Sequence, residues 1–153
     1  MIDRPLPPPS RNAALAVLDT NVMLDLWLFD DPRAQALRNA LLQGQLVALA
    51  TAAMLAELID VLQRPFVASW PTPAAQVLDT VHTLCRQVTP PSSTIGPAPR
   101  CSDGDDQKFI DLAWAWPTQW LVSRDRAVLR LARAARAGGL RIVTPEGWAA
   151  AAA

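Results

Sequence analysis

Short apolar runs alternate along the chain with stretches whose apolar residues recur every three or four positions, and the two periods predict different elements. ALAVLD (residues 14–19), LVALA (46–50), WLVS (120–123) and LRIV (140–143) are continuous enough for strands buried on both faces of a sheet. Between them VMLDLWLF and DPRAQALRNALLQG read as helices, the second with a proline near its start, leucines at 37, 41 and 42, and Gly44 as its stop. Asn21 is placed to cap the first, and Thr51 to cap a helix running from Ala52 to about Gln63. In that helix Leu55, Leu58, Ile59 and Leu62 form the buried stripe, which leaves Glu57 and its neighbour Asp60 free to face a cleft. TPAAQVLDTVHTLCRQV predicts another helix, as do KFIDLAWAW and RAVLRLARAARA, the last stopped by Gly138 and Gly139. Alternation of this kind predicts an α/β fold in three layers, α/β/α, around a central, mostly parallel sheet with right-handed crossovers.

Composition narrows the organisation. With 153 residues, 51% of them hydrophobic, the chain supports one domain with a real core. The expected division is a flexible proline-rich arm over residues 1–13, a domain over 14–148 and a tail or frayed helix over 149–153. Residues 89–105, rich in Pro, Ser and Gly, predict an ordered crossing or a mobile flap. Polar residues or Pro interrupt every apolar stretch before about 18 residues, and the first residues lack a secretory pattern, so the expected address is cytoplasmic, without a membrane partner. Cys85 and Cys101 do not form a CxxC pair and read as reduced thiols. His82 is the only histidine, which excludes metal sites built on a His pair.

Fourteen basic and fourteen acidic residues give zero formal net charge, so partner choice must rest on local charge. Six arginines lie between Arg124 and Arg141; they suit phosphates or, equally, a solvated helix face.

The acidic residues carry the chemistry. Asp19 and Asp125 each follow an apolar run, Glu57 lies on the helix after the second strand, and Asp106 opens a helix. In a parallel sheet these positions converge at one end, and gathered carboxylates repel unless a cation offsets them. Each also has an ordinary reading, Asp19 and Asp125 as helix caps and Glu57 as an exposed helix residue. DGDDQKFIDLA lacks the spacing and closing Glu of a calcium loop, so an EF-hand is excluded.

AVLDTNVMLDL, LAELIDVLQRPF, SDGDDQKFIDLA, WLVSRDRAVLRLA and IVTPEGW, in this order, resemble the PIN domain, and most closely the VapC-type toxin components of bacterial toxin-antitoxin systems. The resemblance spans residues 14–148. It implies a metal-dependent ribonuclease in which Asp19, Glu57, Asp106 and Asp125 bind Mg²⁺ or Mn²⁺ and are catalytic. Asp19 and Asp106 would hold the first ion. Thr20, Asn21, Asp103 and Ser123 would support the site. Arg124, Arg126 and Arg130 would guide a single-stranded or looped RNA, and the products would carry 5′-phosphate and 3′-hydroxyl ends. The chain departs from the pattern at Arg124, where similar sequences often carry Gly. Toxin behaviour implies a cognate antitoxin protein, and Trp27, Trp114 and Trp116 are candidates for that surface or a homodimer, with core packing the alternative.

Two rivals stay open. One is a catalytically silent PIN-like module that binds RNA or protein. The other is a phosphatase of the haloacid-dehalogenase kind, which wants a second Asp where Asn21 stands.

Overall fold

A computed structural model of the chain describes residues 11–90, 97–116 and 118–153. Most of the expected N-terminal arm, and residues 91–96 of the expected flap, lie outside the described residues.

Five strands form one sheet: β1 (Ala14–Leu18), β2 (Leu46–Ala50), β3 (Cys85–Gln87), β4 (Trp120–Val122) and β5 (Arg141–Val143). Their order is β3-β2-β1-β4-β5 and every pairing is parallel. The predicted three-layer α/β/α architecture is therefore the one observed. Val17, Leu49 and Leu121 on the central strands are fully buried, as expected of strands covered on both faces.

The helices are α1 (Thr20–Trp27), α2 (Gln35–Leu42), α3 (Ala52–Leu62), α4 (Pro65–Ala68), α5 (Ala74–Leu84), α6 (Gln107–Ala115), α7 (Arg126–Leu129), α8 (Ala132–Arg136) and α9 (Pro145–Ala152). α6 lies against β1 and β4, α8 against β5, and α1, α3 and α5 pack on one another. α9 runs through the residues expected to fray and packs against α2 and β5.

Four expectations need correction. β3 was predicted as the end of a helix. Instead α5 stops at Leu84 and Cys85–Gln87 pairs with Ala48–Ala50, because an edge strand needs only one partner and can do without an apolar run. The single helix predicted after Asp125 is two, since Leu131 N–H bonds the Val128 carbonyl at 3.0 Å and tightens the turn between them. Ile59 is 40% exposed, and Met54 and Val61 join Leu55, Leu58 and Leu62 as the buried face of α3. Asp19, rather than Asn21, caps α1. Thr51 caps α3 as expected, accepting from Met54 N–H.

The strand order reverses between β1 and β4, and their carboxyl ends are in register, Leu18 opposite Val122. The next residues, Asp19 and Ser123, therefore emerge side by side in the crevice where open α/β sheets bind ligands.

Candidate active site

Asp19 is the most buried acidic residue among the described residues, at 4% exposure. Its backbone N–H extends the ladder by bonding the Val122 carbonyl at 3.0 Å, which fixes the main chain. Its carboxylate is then held at both oxygens: Asn21 N–H donates to Oδ1 at 3.3 Å, and the Ser123 hydroxyl donates to Oδ2 at 2.7 Å. Ser123 Oγ also accepts from Asp125 N–H at 3.0 Å, so one buried hydroxyl ties the two strand-end aspartates together. Burial drives the Asp19 carboxyl above its usual range, and the charges of Asp125 and Glu57 add to that.

Asp103 and Asp125 repeat the device. Asp103 accepts from Asp105 N–H at 3.0 Å and begins a 3-10 turn, Gly104–Asp106, that leads into α6. Asp125 accepts from Ala127 N–H at 2.8 Å and starts α7. Capping and clustering are thus one fact: a backbone amide pins one oxygen of each aspartate, and the helix start offsets part of its charge.

One oxygen each from Asp103, Asp106 and Asp125 lies within 4.8 Å of the others. Asp106 Oδ2 is buried without a hydrogen-bond partner. Desolvation, then the charges of Asp19 and Asp125, push the Asp106 carboxyl up to about 7. A buried acceptor left unmatched among repelling carboxylates is what a hard, oxygen-seeking divalent cation satisfies, so the residues present fit Mg²⁺ or Mn²⁺.

Glu57 sits near enough to Asp19 to act on its proton, but both its oxygens are engaged. Thr20 Oγ1 donates to Oε2, and Lys108 Nζ donates to Oε1 at 2.8 Å. Lys108 also donates to the Asp105 carbonyl. This lysine, the only one in the chain, is a site residue that sequence reasoning passed over; its place beside the Asp-rich motif was the available signal.

The structure thus brings Asp103, Asp106 and Asp125 together, so Asp103 stands closer in than its expected supporting place. Asp19, expected beside Asp106, lies outside that group but near enough for its charge to act on Asp106, and Glu57 is at the margin. Asn21 contributes a backbone amide while its side chain is exposed. Asp60 turns away to Arg64, 3.5 Å off and in solvent. Arg126 and Arg130 are exposed, whereas Arg124 is bound: its Nε donates to the buried Asp25 and its Nη1 to Glu146 at 2.9 Å.

The raised carboxyl of Asp106 has a thermodynamic signature. Between the unfolded value near 4 and about 7, the unfolded chain releases a proton that the folded chain keeps, so stability falls as pH rises through that window. In EDTA, wild type is expected to melt lower at pH 8 than at pH 5. Asp106→Asn should flatten that slope and raise the Tm at pH 8 by about 2–4 °C, which corresponds to roughly 1 kcal/mol after discounting for solvent screening. Melting curves at several pH values check this; parallel slopes for the two proteins would remove Asp106 as the cause.

Residues 15–127 match the family model of the PIN domain. None of the curated proteins matches the chain. Among solved structures, the crystal structure of VapBC2 from Rickettsia felis bound to a DNA fragment from their promoter is similar at a TM-score of 0.54 and 15% identity. The likeness covers 84% of this chain and 96% of that one, and it is a likeness of fold.

Proposed function

The chain belongs to the PIN domain family, and from that premise we propose that it is a metal-dependent ribonuclease, the toxin of a toxin-antitoxin pair acting in the cytoplasm. The observation that carries the reading is the cluster of Asp103, Asp106 and Asp125 around an unmatched buried oxygen of Asp106, with Asp19 near enough for its charge to raise Asp106. Fold likeness to a VapBC2 structure supports the toxin assignment and, with it, an antitoxin partner.

Asp106, Asp125 and Asp103 would hold the ion, with Asp19 beside them and Glu57 reaching it directly or through water. When bound, Mg²⁺ or Mn²⁺ supplies an acidified water and neutralises charge on the phosphate. The protein's part is preorganisation. Ser123 ties the Asp19 carboxylate to the Asp125 main chain, and Thr20 fixes Glu57. Lys108 balances the Glu57 charge. No histidine base is required, which agrees with a chain whose single histidine, His82, lies on α5. Arg126 and Arg130, exposed beside Asp125, suit the backbone of a single strand, since a stiff duplex would reach an acidic crevice poorly.

Purified protein should cut single-stranded RNA in Mn²⁺ or Mg²⁺, stop in EDTA, and leave 5′-phosphate ends detectable by ligation. The engagement of both Glu57 oxygens favours one alternative, a silent module that binds RNA or protein. Retention of RNA in Mn²⁺ with no cleavage would select it.

A further inference from the structure

A cavity of about 520 Å³ adjoins the carboxylates, between the start of α3, one face of α6 and the segment that leads up to the Asp-rich turn. Its volume falls in the range of roughly 300–1,000 Å³ typical of small-ligand sites. We infer that it is the subsite for one nucleotide of a single-stranded RNA, next to the phosphate held at the carboxylates. This rests on the ribonuclease reading and deepens it.

Three observations converge. The first is continuity: Lys108 lines the cavity while its Nζ bonds Glu57 Oε1 at 2.8 Å, so the acidic cluster and the cavity share a wall.

The second is charge. The carboxylates repel a phosphate that no cation covers, whereas this neighbouring space offers Arg100, exposed and without an ion-pair partner among the described residues; Lys108, also in the lining, is already paired with Glu57. Thr51, the N-cap of the eleven-residue α3, and Ala53 in its first turn also line it, so the positive end of that helix faces the same space. Arg100 and the helix start are the groups of this lining that a phosphate would meet.

The third is the remaining surface. Ala53, Pro97, Ala98 and Leu112 give apolar walls broad enough for a ribose and base. Asp111 is the carboxylate of the lining; its Oδ1 accepts from Gln107 Nε2 at 3.0 Å, and its second oxygen suits an amino group on a base. An apolar wall, an acceptor and an unpaired arginine make up the complement of a nucleotide.

The test uses the full chain and a short, fluorescently labelled single-stranded RNA in EDTA, where no cleavage intervenes. Arg100→Ala and Ala53→Phe, the second at an exposed position and filling the cavity, are expected to weaken binding about tenfold, with Arg100→Ala also lowering the salt dependence by about one counterion. Both should keep the wild-type Tm and Mn²⁺ affinity. In Mn²⁺ their loss should fall on KM rather than kcat. Binding within twofold of wild type for both variants, or no RNA binding by wild type at all, overturns the subsite. Absence of cleavage by wild type alongside the predicted binding losses overturns the ribonuclease reading and leaves the subsite standing.

Discussion

Asp19→Asn is expected to lower RNA cleavage by on the order of 10³-fold, about 4 kcal/mol of barrier, in a protein that melts no lower than wild type. The two halves of this result have one origin. Asp19 is buried, and burial already disfavours its charge, so the neutral amide relieves a cost of folding. Asparagine caps a helix about as well as aspartate, so its oxygen can still accept from Asn21 N–H, and its amide can donate to a reoriented Ser123 hydroxyl. What the substitution removes is the negative charge at the sheet's reversal point. Steady-state cleavage in Mn²⁺ and a melting curve in EDTA decide the matter together. Wild-type turnover would reject Asp19 as a catalytic group, and a large drop in Tm would show that its charge serves the fold.

The second large effect concerns stability. Arg124→Ala is expected to destabilise the protein by about 2–4 kcal/mol, lowering Tm by roughly 5–10 °C. Arg124 stands between Ser123 and Asp125 and reaches in two directions, to Asp25 on α1 and to Glu146 at the start of α9. The Asp25 side chain is 11% exposed, so removal of its cation strands a charge that water barely reaches. Glu146, 48% exposed, contributes far less. The double replacement Arg124→Met with Asp25→Leu should recover most of the loss, because the deficit lies in the unpaired carboxylate. A single Arg124→Ala variant within about 1 °C of wild type would show that the ion pair adds nothing net.

The sequence carried more of the sheet than of the site's wiring. β1, β2, β4 and β5 were legible because strands covered on both faces must be apolar, and Asp19 and Asp125 stood out as the first charges after such runs. β3 was not legible: Cys85–Gln87 is short and mostly exposed, with one partner strand, and no Gly or Pro marks where α5 ends. Arg124 was expected to face RNA because its neighbours are catalytic candidates; its true partner, Asp25, lies 99 residues away in sequence. Lys108 and Glu57 are 51 apart. Pairings at such separations follow from how helices are laid on the sheet, which no local pattern encodes. The cap readings and the site readings of Asp19 and Asp125 were set against each other, yet they are compatible: both side chains cap helices, and a carboxylate has two oxygens to place.

Both rims of the sheet are three residues long, β3 on one side and β5 on the other, and each presents an exposed arginine, Arg86 and Arg141. So little bare ladder, guarded by like charge, leaves scant template for another chain to zip onto. Edge-to-edge pairing of copies is therefore disfavoured, and a crowded solution of the protein is expected to resist fibril growth.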